Sequence, residues 1–116
     1  MKTSIAIERQ GPVGLVTLNR PDRHNAFDDA VIAELTDALR SMEAEDGIRC
    51  VVLSAVGKSF SAGADLAWMR RVAGASAAEN KRDAMALAAL MRTLAELKKP
   101  TIARVQGPAY GGGVGL

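Results

Sequence analysis

The first 18 residues show the alternating pattern of β-strands, interrupted once by a turn. Ile5 and Ile7 alternate with less apolar neighbours, and Val13–Leu18 continues the extended pattern. The dipeptide Gly11-Pro12, which separates the two stretches, is typical of a turn. The pattern therefore predicts a β-hairpin over residues 1–18.

Two longer stretches carry apolar residues at helical spacing. The first helix is expected to begin near Asp28, whose carboxylate can cap free backbone N–H groups, and to end at Gly47. The second is expected over residues 78–97, with Pro100 stopping it and Lys98 and Lys99 at the negative end of its dipole. The apolar positions of the first helix are Val31, Ile32, Leu35, Ala38, Leu39 and Met42.

Further strands are predicted between and after these helices. Residues 50–53 form an unbroken apolar run, typical of a strand buried on both faces, and residues 101–105 form another strand. A short helix is expected over residues 65–71, ended by a break at residues 74–76. The order β-β-α-β-α-β, followed by a glycine-rich helix start, predicts an α/β fold with parallel central strands. Open α/β sheets bind ligands where strands end, which is where the glycine-containing segments lie.

Composition and charge exclude several classes of protein. The chain has 116 residues, 48% of them hydrophobic and 24% charged, which is too apolar for a disordered chain. Its net charge is only +2 and no basic block is present, so nucleic-acid binding is not favoured. The one cysteine, Cys50, excludes an intramolecular disulfide and indicates a reducing compartment, so we expect a cytoplasmic protein. We expect no membrane span and no signal peptide, because charged residues interrupt every apolar run.

The last residues predict that the domain continues. The run Tyr110-Gly111-Gly112-Gly113-Val114-Gly115-Leu116 is typical of a turn that opens a new element. We therefore expect residues 1–116 to be the N-terminal portion of a single longer domain. On their own they would leave apolar surface uncovered, so we expect them to fold poorly and to be inactive.

A segment of small residues, Ser59-Phe60-Ser61-Ala62-Gly63-Ala64-Asp65-Leu66, is the first candidate site. Gly63 permits backbone angles that other residues avoid, and Ala62 and Ala64 leave the main chain open to a ligand. The Ala64 N–H stands just before a helix start, where N–H groups lack intrahelical partners. A turn of small residues capped by Asp65 explains the same pattern equally well.

A glycine-rich segment, residues 107–115, is the second candidate site. Glycines at a strand-to-helix junction expose N–H groups that can bind a phosphate or stabilise an oxyanion. The segment lacks the Lys-Ser/Thr of a Walker loop and the spacing of a dinucleotide-binding fingerprint. A flexible loop or close helix packing is the alternative explanation.

Together these segments resemble the enoyl-CoA hydratase/isomerase (crotonase) family. The residues that carry the resemblance are Leu18-Asn19-Arg20-Pro21 with Asn25-Ala26, the segment Phe60 to Leu66, Lys99-Pro100, and Gly111-Gly112-Gly113. Within the family the chain resembles bacterial hydratases of branched-chain acyl-CoA breakdown, of the methylglutaconyl-CoA hydratase kind. The resemblance covers nearly the whole chain. It implies a crotonase-like (ClpP/crotonase) α/β fold, a spiral of ββα repeats, of which this chain is the N-terminal half.

The resemblance also implies a set of site residues. The backbone N–H groups of Ala64 and Gly112 would bind the thioester carbonyl of an acyl-CoA as a catalytic oxyanion hole, with their nitrogens within roughly 4–6 Å of each other. Ala62 and Leu66 would contact the CoA adenine end, and Arg23 would lie near the CoA phosphates, although an ordinary solvated arginine is nearly as good an explanation. The implied substrate-binding residues are Arg23, Ala62, Ala64, Asp65, Leu66, Ala67 and Gly112.

One departure from the family pattern concerns proton transfer. Family hydratases usually carry a glutamate two residues after the glycine run, where this chain has Gly115, and a second glutamate lies beyond Leu116. Hydration of a 2-enoyl-CoA is therefore the first expectation, and isomerisation or another crotonase-type reaction is the alternative. A binding module without catalysis and an RNA-binding role are the rivals from other classes. The resemblance implies homotrimers or pairs of trimers and no metal or other cofactor, since CoA is part of the substrate.

Four other residues have simpler explanations. His24 lies in a polar loop and is expected at the surface, and Cys50 is expected to pack as a small apolar residue. Trp68 and Met69 could cover an acyl chain, but packing of a short helix on the core explains them equally well.

Overall fold

The chain begins with the predicted hairpin. A computed structural model describes residues 4–116, in which β1 (Ile5–Gln10) pairs antiparallel with β2 (Val13–Leu18). Gly11 makes the turn in the left-handed region, at φ +57°. The hairpin prediction is confirmed for these residues, and its part over residues 1–3 lies outside the described range.

Two further strands extend the sheet in parallel. The sheet order is β1-β2-β3-β4, and both β2–β3 and β3–β4 pair in parallel, as the element order predicted. The remaining elements are β3 (Cys50–Ala55), β4 (Thr101–Ala103), α1 (Asp29–Ala44), α2 (Leu66–Ala73) and α3 (Ala77–Ala95).

The core lies between one face of the sheet and the helices. Helix α1 packs against β1 and β2, and α3 packs against α1. The predicted apolar face of α1 is confirmed, because all six of its predicted positions are buried. The prediction that residues 50–53 are buried on both faces was wrong: Val51 and Leu53 are buried, whereas Cys50 and Val52 are half-buried. Alternate residues of β2 and β3 are buried and the residues between them half-buried, so one face of the sheet is the better covered among residues 4–116.

Helix α1 ends at Ala44, three residues before the predicted end at Gly47. Its last carbonyls are bound by a side chain from another element, since Lys99 Nζ donates to the carbonyl oxygens of Met42 and Glu45, both at 2.6 Å. The prediction that Lys99 serves the end of its own helix was therefore wrong. Its ammonium group neutralises the C-terminus of α1 instead.

Side-chain caps define where the helices begin. Asp28 Oδ1 accepts the N–H of Val31 at 2.9 Å, which confirms the predicted start of α1. Helix α3 begins at Ala77, one residue earlier than predicted, because the Ser76 hydroxyl caps it by accepting the N–H of Glu79.

Strand β4 is shorter than predicted and ends at Ala103. The N–H of Arg104 makes the last bond to β3, at 2.8 Å from the Leu53 carbonyl oxygen. Beyond it the chain turns toward the end of β3, where Gln106 Nε2 donates to Gly57 O. The glycine run that follows forms a 3-10 helix, Gly111–Val114.

Candidate functional site

Three loop segments meet beyond the ends of β2, β3 and β4 and form one hydrogen-bonded layer. Residues 59–65 lie in the middle, between residues 24–27 and residues 108–113. On one side, the N–H of Ala62 donates to His24 O at 2.9 Å, and on the other the N–H of Tyr110 donates to Ser61 O at 2.9 Å. The two sequence segments predicted to form the site are therefore adjacent in space.

The N–H of Ala64 is left free by this layer. Phe27 makes a single parallel bridge beside Ala64: its N–H donates to Gly63 O and its carbonyl accepts from the N–H of Asp65, both at 2.8 Å. In such a bridge the hydrogen bonds are made by the residues before and after Ala64. The N–H of Ala64 itself therefore points away from Phe27. It has no hydrogen-bond acceptor within residues 4–116.

The N–H of Gly112 is free as well. In the short 3-10 helix the N–H of Gly113 donates back to Tyr110 O at 2.9 Å, whereas that of Gly112 finds no acceptor in the described part of the chain. The Gly112 nitrogen lies 3.2 Å from the point where a Cβ on Gly63 would stand. The second free N–H group therefore lies directly against the residue that precedes Ala64.

Two glycines make this close approach feasible. Gly63 has φ +87°, in the region that favours glycine, and a Cβ there would stand 2.9 Å from Tyr110 O. A Cβ on Gly112 would come within 2.6 Å of the Phe27 ring. Larger residues at either position would separate the two segments that carry the free N–H groups.

A groove of about 380 Å³ opens beside Ala64. Five of the predicted substrate-binding residues line it together: Arg23, Ala62, Ala64, Asp65 and Leu66. Leu66 is 70% exposed at the start of α2, so an apolar side chain is presented to solvent at the groove. Gly112 lies against Gly63 and is not among the residues that line the groove, and Ala67 lies on the exposed surface of α2 outside the groove lining.

The carboxylate of Asp65 is buried and fully engaged. It caps α2 by accepting the N–H of Trp68 at 3.1 Å, which confirms the predicted capping role, and it pairs with Arg20 and Arg23 at 3.4 Å. Burial acts to raise the pKa of this carboxyl. The N–H groups of Trp68 and Ala67 and the two guanidinium groups outweigh burial and hold the pKa of Asp65 below its ordinary value. The group is therefore ionised at neutral pH.

Comparison with known proteins identifies the family. A model of the family described as enoyl-CoA hydratase/isomerase matches residues 8–116. The chain belongs to this family. A crystal structure of an enoyl-CoA hydratase from Shewanella pealeana superposes with a TM-score of 0.94, at 41% identity over 97% of this chain and 42% of that one. The predicted crotonase-like α/β fold is thereby confirmed.

Curated relatives within the enoyl-CoA hydratase/isomerase family carry different activities in their names. A mitochondrial enoyl-CoA hydratase from Pongo abelii is 36% identical over 97% of this chain and 38% of its own length. A 1,2-epoxyphenylacetyl-CoA isomerase from Escherichia coli is 40% identical over 87% of this chain and 39% of its own length. The chain thus spans about two fifths of the relatives that it matches, and both names contain a CoA thioester.

Sequence reasoning did not identify two residues that lie at the site of this family member. His24, predicted at the surface, is exposed and also lines the groove, with its Nδ1 held 3.2 Å from Ser59 Oγ. Arg20 donates to Ala26 O at 2.9 Å and to Asp65 Oδ2 at 3.4 Å. The only signal for Arg20 was its place in the Asn-Arg-Pro run, because Asp65, its partner at the groove, is 45 residues away in sequence.

A second apolar groove, of about 390 Å³, lies between α2 and α3. Trp68 lines it but is only 8% exposed, and Met69 beside it is 48% exposed. Trp68 therefore packs on the core, whereas Met69 remains available to a ligand.

Among residues 4–116, no three His, Cys, Asp or Glu side chains cluster closely enough to hold a metal ion. Within the same range, no helix has the length and apolar content needed to cross a membrane.

The ion pairs of Asp65 predict a pH-dependent stability. Because the pKa of Asp65 is lowered by folding, its contribution is present above the ordinary aspartate pKa of about 3.9 and is lost as the pH falls through the folded value. Asp65→Asn keeps a capping oxygen but removes the charge, and should cost about 2 kcal/mol at pH 7. Urea unfolding of the complete gene product at several pH values measures this.

The matched control is Asp22→Asn, which removes an exposed carboxylate from the same loop region. It should change the free energy of unfolding by less than about 0.5 kcal/mol. A difference between the parent and Asp65→Asn that persists undiminished below pH 3 would contradict the ion-pair explanation.

Proposed function

We propose that the N–H groups of Ala64 and Gly112 form an oxyanion hole for the thioester carbonyl of an acyl-CoA, and that the complete protein hydrates a 2-enoyl-CoA. The observation that carries the proposal is that both groups are free of acceptors within residues 4–116 and stand on adjoining segments, of which the one with Ala64 lines a groove. Free backbone donors held by a rigid layer are what an oxyanion requires.

The chemistry follows from where charge develops. Addition of water to a double bond conjugated with a thioester places negative charge on the carbonyl oxygen, and each fixed donor lowers that barrier by about 3 kcal/mol. Water must also be activated, and a proton must reach the α-carbon, which needs a side chain that exchanges protons. Neither backbone N–H group can do this.

The proton-transfer group is proposed to lie outside the described residues. Asp65 is the only carboxylate that lines the groove among residues 4–116. It already caps α2 and forms ion pairs with two arginines. Gly115, at the family's usual glutamate position, has no side chain to offer. We therefore propose that hydration depends on a single carboxylate elsewhere in the protein. No metal or redox cofactor is needed for this chemistry.

Isomerisation of an enoyl-CoA is the alternative reaction within the family. The observation that favours it is the 40% identity with a CoA-thioester isomerase. An isomerase moves one proton between carbon atoms and adds no water, so one proton-transfer group suffices. Binding of acyl-CoA without turnover is the second alternative, and the glycine at position 115 favours it.

The test is incubation of the complete gene product with 2-enoyl-CoA thioesters of several acyl chains. Hydration adds the mass of one water and removes the absorbance of the conjugated thioester, whereas isomerisation shifts the double bond at constant mass. Tight binding of every thioester without either change would overturn the enzymatic proposal in favour of a binding module.

We also propose that the complete protein is a cytoplasmic homotrimer or pair of trimers. Light scattering tests the oligomeric state, and cell fractionation tests the localisation.

Arg23 is proposed to contact the phosphates of CoA at the groove. Its guanidinium group is half-exposed and pairs only with Asp65 in the described chain. Arg23→Met should raise KM for a CoA thioester about threefold and leave kcat unchanged, since exposed ion pairs contribute up to about 1 kcal/mol. With a pantetheine thioester, which lacks the nucleotide phosphates, the same variant should behave like the parent. Equal losses with both substrates would contradict the phosphate contact.

A further inference from the structure

We infer that Ser61 is a positioning residue that holds the free N–H groups of Ala64 and Gly112 at their mutual separation. This inference rests on the proposed function, because it concerns the geometry of the oxyanion hole. Ser61 is fully buried, with 0% of its surface exposed, and touches neither the groove nor a ligand position. Any effect on chemistry must therefore pass through its neighbours.

The hydroxyl of Ser61 joins two of the three segments of the layer. It donates to Asn25 O at 3.0 Å and accepts the N–H of Gly63 at 3.2 Å. Both bonds are buried, so neither can be exchanged for water at low cost. Asn25 is itself fixed, because its side-chain amide donates to Val56 O and Ser59 O and its backbone adopts φ +54°.

The bond from Ser61 to Gly63 anchors the peptide plane that adjoins the one carrying the Ala64 N–H. Gly63 lies between two peptide planes, and a glycine has the greatest freedom to rotate about the bonds that join them. The first plane is held by Ser61 Oγ through the Gly63 N–H, and the second by the Phe27 N–H through Gly63 O. In a trans peptide, C=O and N–H point to opposite sides, so anchoring both planes aims the Ala64 N–H away from Phe27.

The backbone of Ser61 holds the second donor. Its carbonyl oxygen accepts the N–H of Tyr110 at 2.9 Å, and the Tyr110 carbonyl in turn accepts that of Gly113. Gly113 packs so closely on Ser61 that a Cβ at that glycine would stand 2.5 Å from Ser61 O and 2.9 Å from Ser61 Cβ. Gly112 lies between Tyr110 and Gly113, which both contact Ser61. The buried Ser61 therefore belongs to one of the segments that carry the proposed oxyanion donors and contacts the other.

The experiment uses Ser61→Ala in the complete gene product, with 4-dimethylaminocinnamoyl-CoA as a chromophoric probe. Polarisation of the probe's thioester carbonyl by two donors shifts its absorbance to longer wavelength, so the shift reports donor geometry independently of turnover. We expect the red shift to fall by about half and kcat for hydration by about tenfold, with KM changed less than twofold. Loss of a whole oxyanion donor costs about a hundredfold or more, and a misdirected donor should cost less.

The matched control is Ser54→Ala in β3, outside the three loop segments. Ser54 is half-buried, and its hydroxyl bonds only the Thr17 hydroxyl and reaches neither peptide plane of Gly63. It should retain the parental red shift and kcat. Ser61→Cys, which keeps a weaker donor and acceptor in the same position, should give an intermediate red shift and takes the place of Ser61→Ala if that variant does not fold.

The outcomes separate the two proposals. A parent protein that binds the probe without any red shift overturns the proposed oxyanion hole itself. A red shift in the parent that is retained in full by Ser61→Ala overturns the role of Ser61 alone. Equal losses in Ser54→Ala and Ser61→Ala would also overturn it, because general destabilisation of the protein would then explain the result.

Discussion

Ala64→Pro should lower kcat for the thioester reaction by about a hundredfold to a thousandfold, the largest catalytic effect expected of any single change in this chain. A backbone donor can be deleted only by proline, which has no N–H. The bridge between Phe27 and Ala64 uses the neighbouring residues and not the Ala64 N–H, so no bond of the folded layer is lost. Steady-state kinetics of the complete gene product measure the effect.

Two controls separate the loss of the Ala64 N–H from the steric effect of the proline ring. Ala64→Gly retains the N–H and should keep kcat within about threefold of the parent, since only a methyl group is removed. A CoA thioether that lacks the carbonyl should bind the parent and Ala64→Pro equally. If Ala64→Pro turned over at the parental rate, the assignment of Ala64 as an oxyanion donor would be wrong.

Gly113→Ala should lower the free energy of unfolding by about 3 kcal/mol. A Cβ at this buried position would stand 2.5 Å from Ser61 O and 3.1 Å from Ser61 C. These are backbone atoms of a segment bonded on both sides, so they cannot move away as a flexible side chain would. The two segments must separate, and the free N–H of Gly112 should be displaced with them. Urea unfolding and probe binding should therefore both be impaired.

Gly74→Ala is the matched control for Gly113→Ala. It lies at the C-terminus of α2, where the nearest atom to an added Cβ, Arg71 O, is 3.9 Å away, an ordinary van der Waals distance. Its free energy of unfolding should stay within about 0.5 kcal/mol of the parental value. Equal stability of the parent and Gly113→Ala would show that the layer tolerates separation, contrary to the contacts described.

Local patterns were sufficient for the elements and for their order. The alternation in residues 4–18 predicted the hairpin, the Asp28 cap predicted the start of α1, and the order of strands predicted parallel pairing; the structure confirms all three. These features depend on residues close together in sequence, where backbone geometry and side-chain periodicity act directly.

The candidate site could be predicted in part. The small residues around Ala64 and the glycine run marked two segments with accessible backbone, and the family resemblance selected Ala64 and Gly112 among them. Four of the five predicted substrate-binding residues that line the groove, Ala62, Ala64, Asp65 and Leu66, lie on one turn of chain, so the sequence contained that information. Arg23 joins them from a separate loop, which only the fold brings near.

The tertiary structure alone decided which polar groups have hydrogen-bond or ion-pair partners and which are free. Lys99 was expected at the end of its own helix and instead caps α1, and β3 is better covered on one face where burial on both was expected. The carboxylate of Asp65 is occupied by Arg20 and Arg23, and the hydroxyl of Ser61 by Asn25 of another segment and by Gly63 of its own. Each outcome depends on partners up to 57 residues apart. Sequence determined the local elements because their bonds are local, whereas the bonds that aim the two free N–H groups form only when three distant loops pack together.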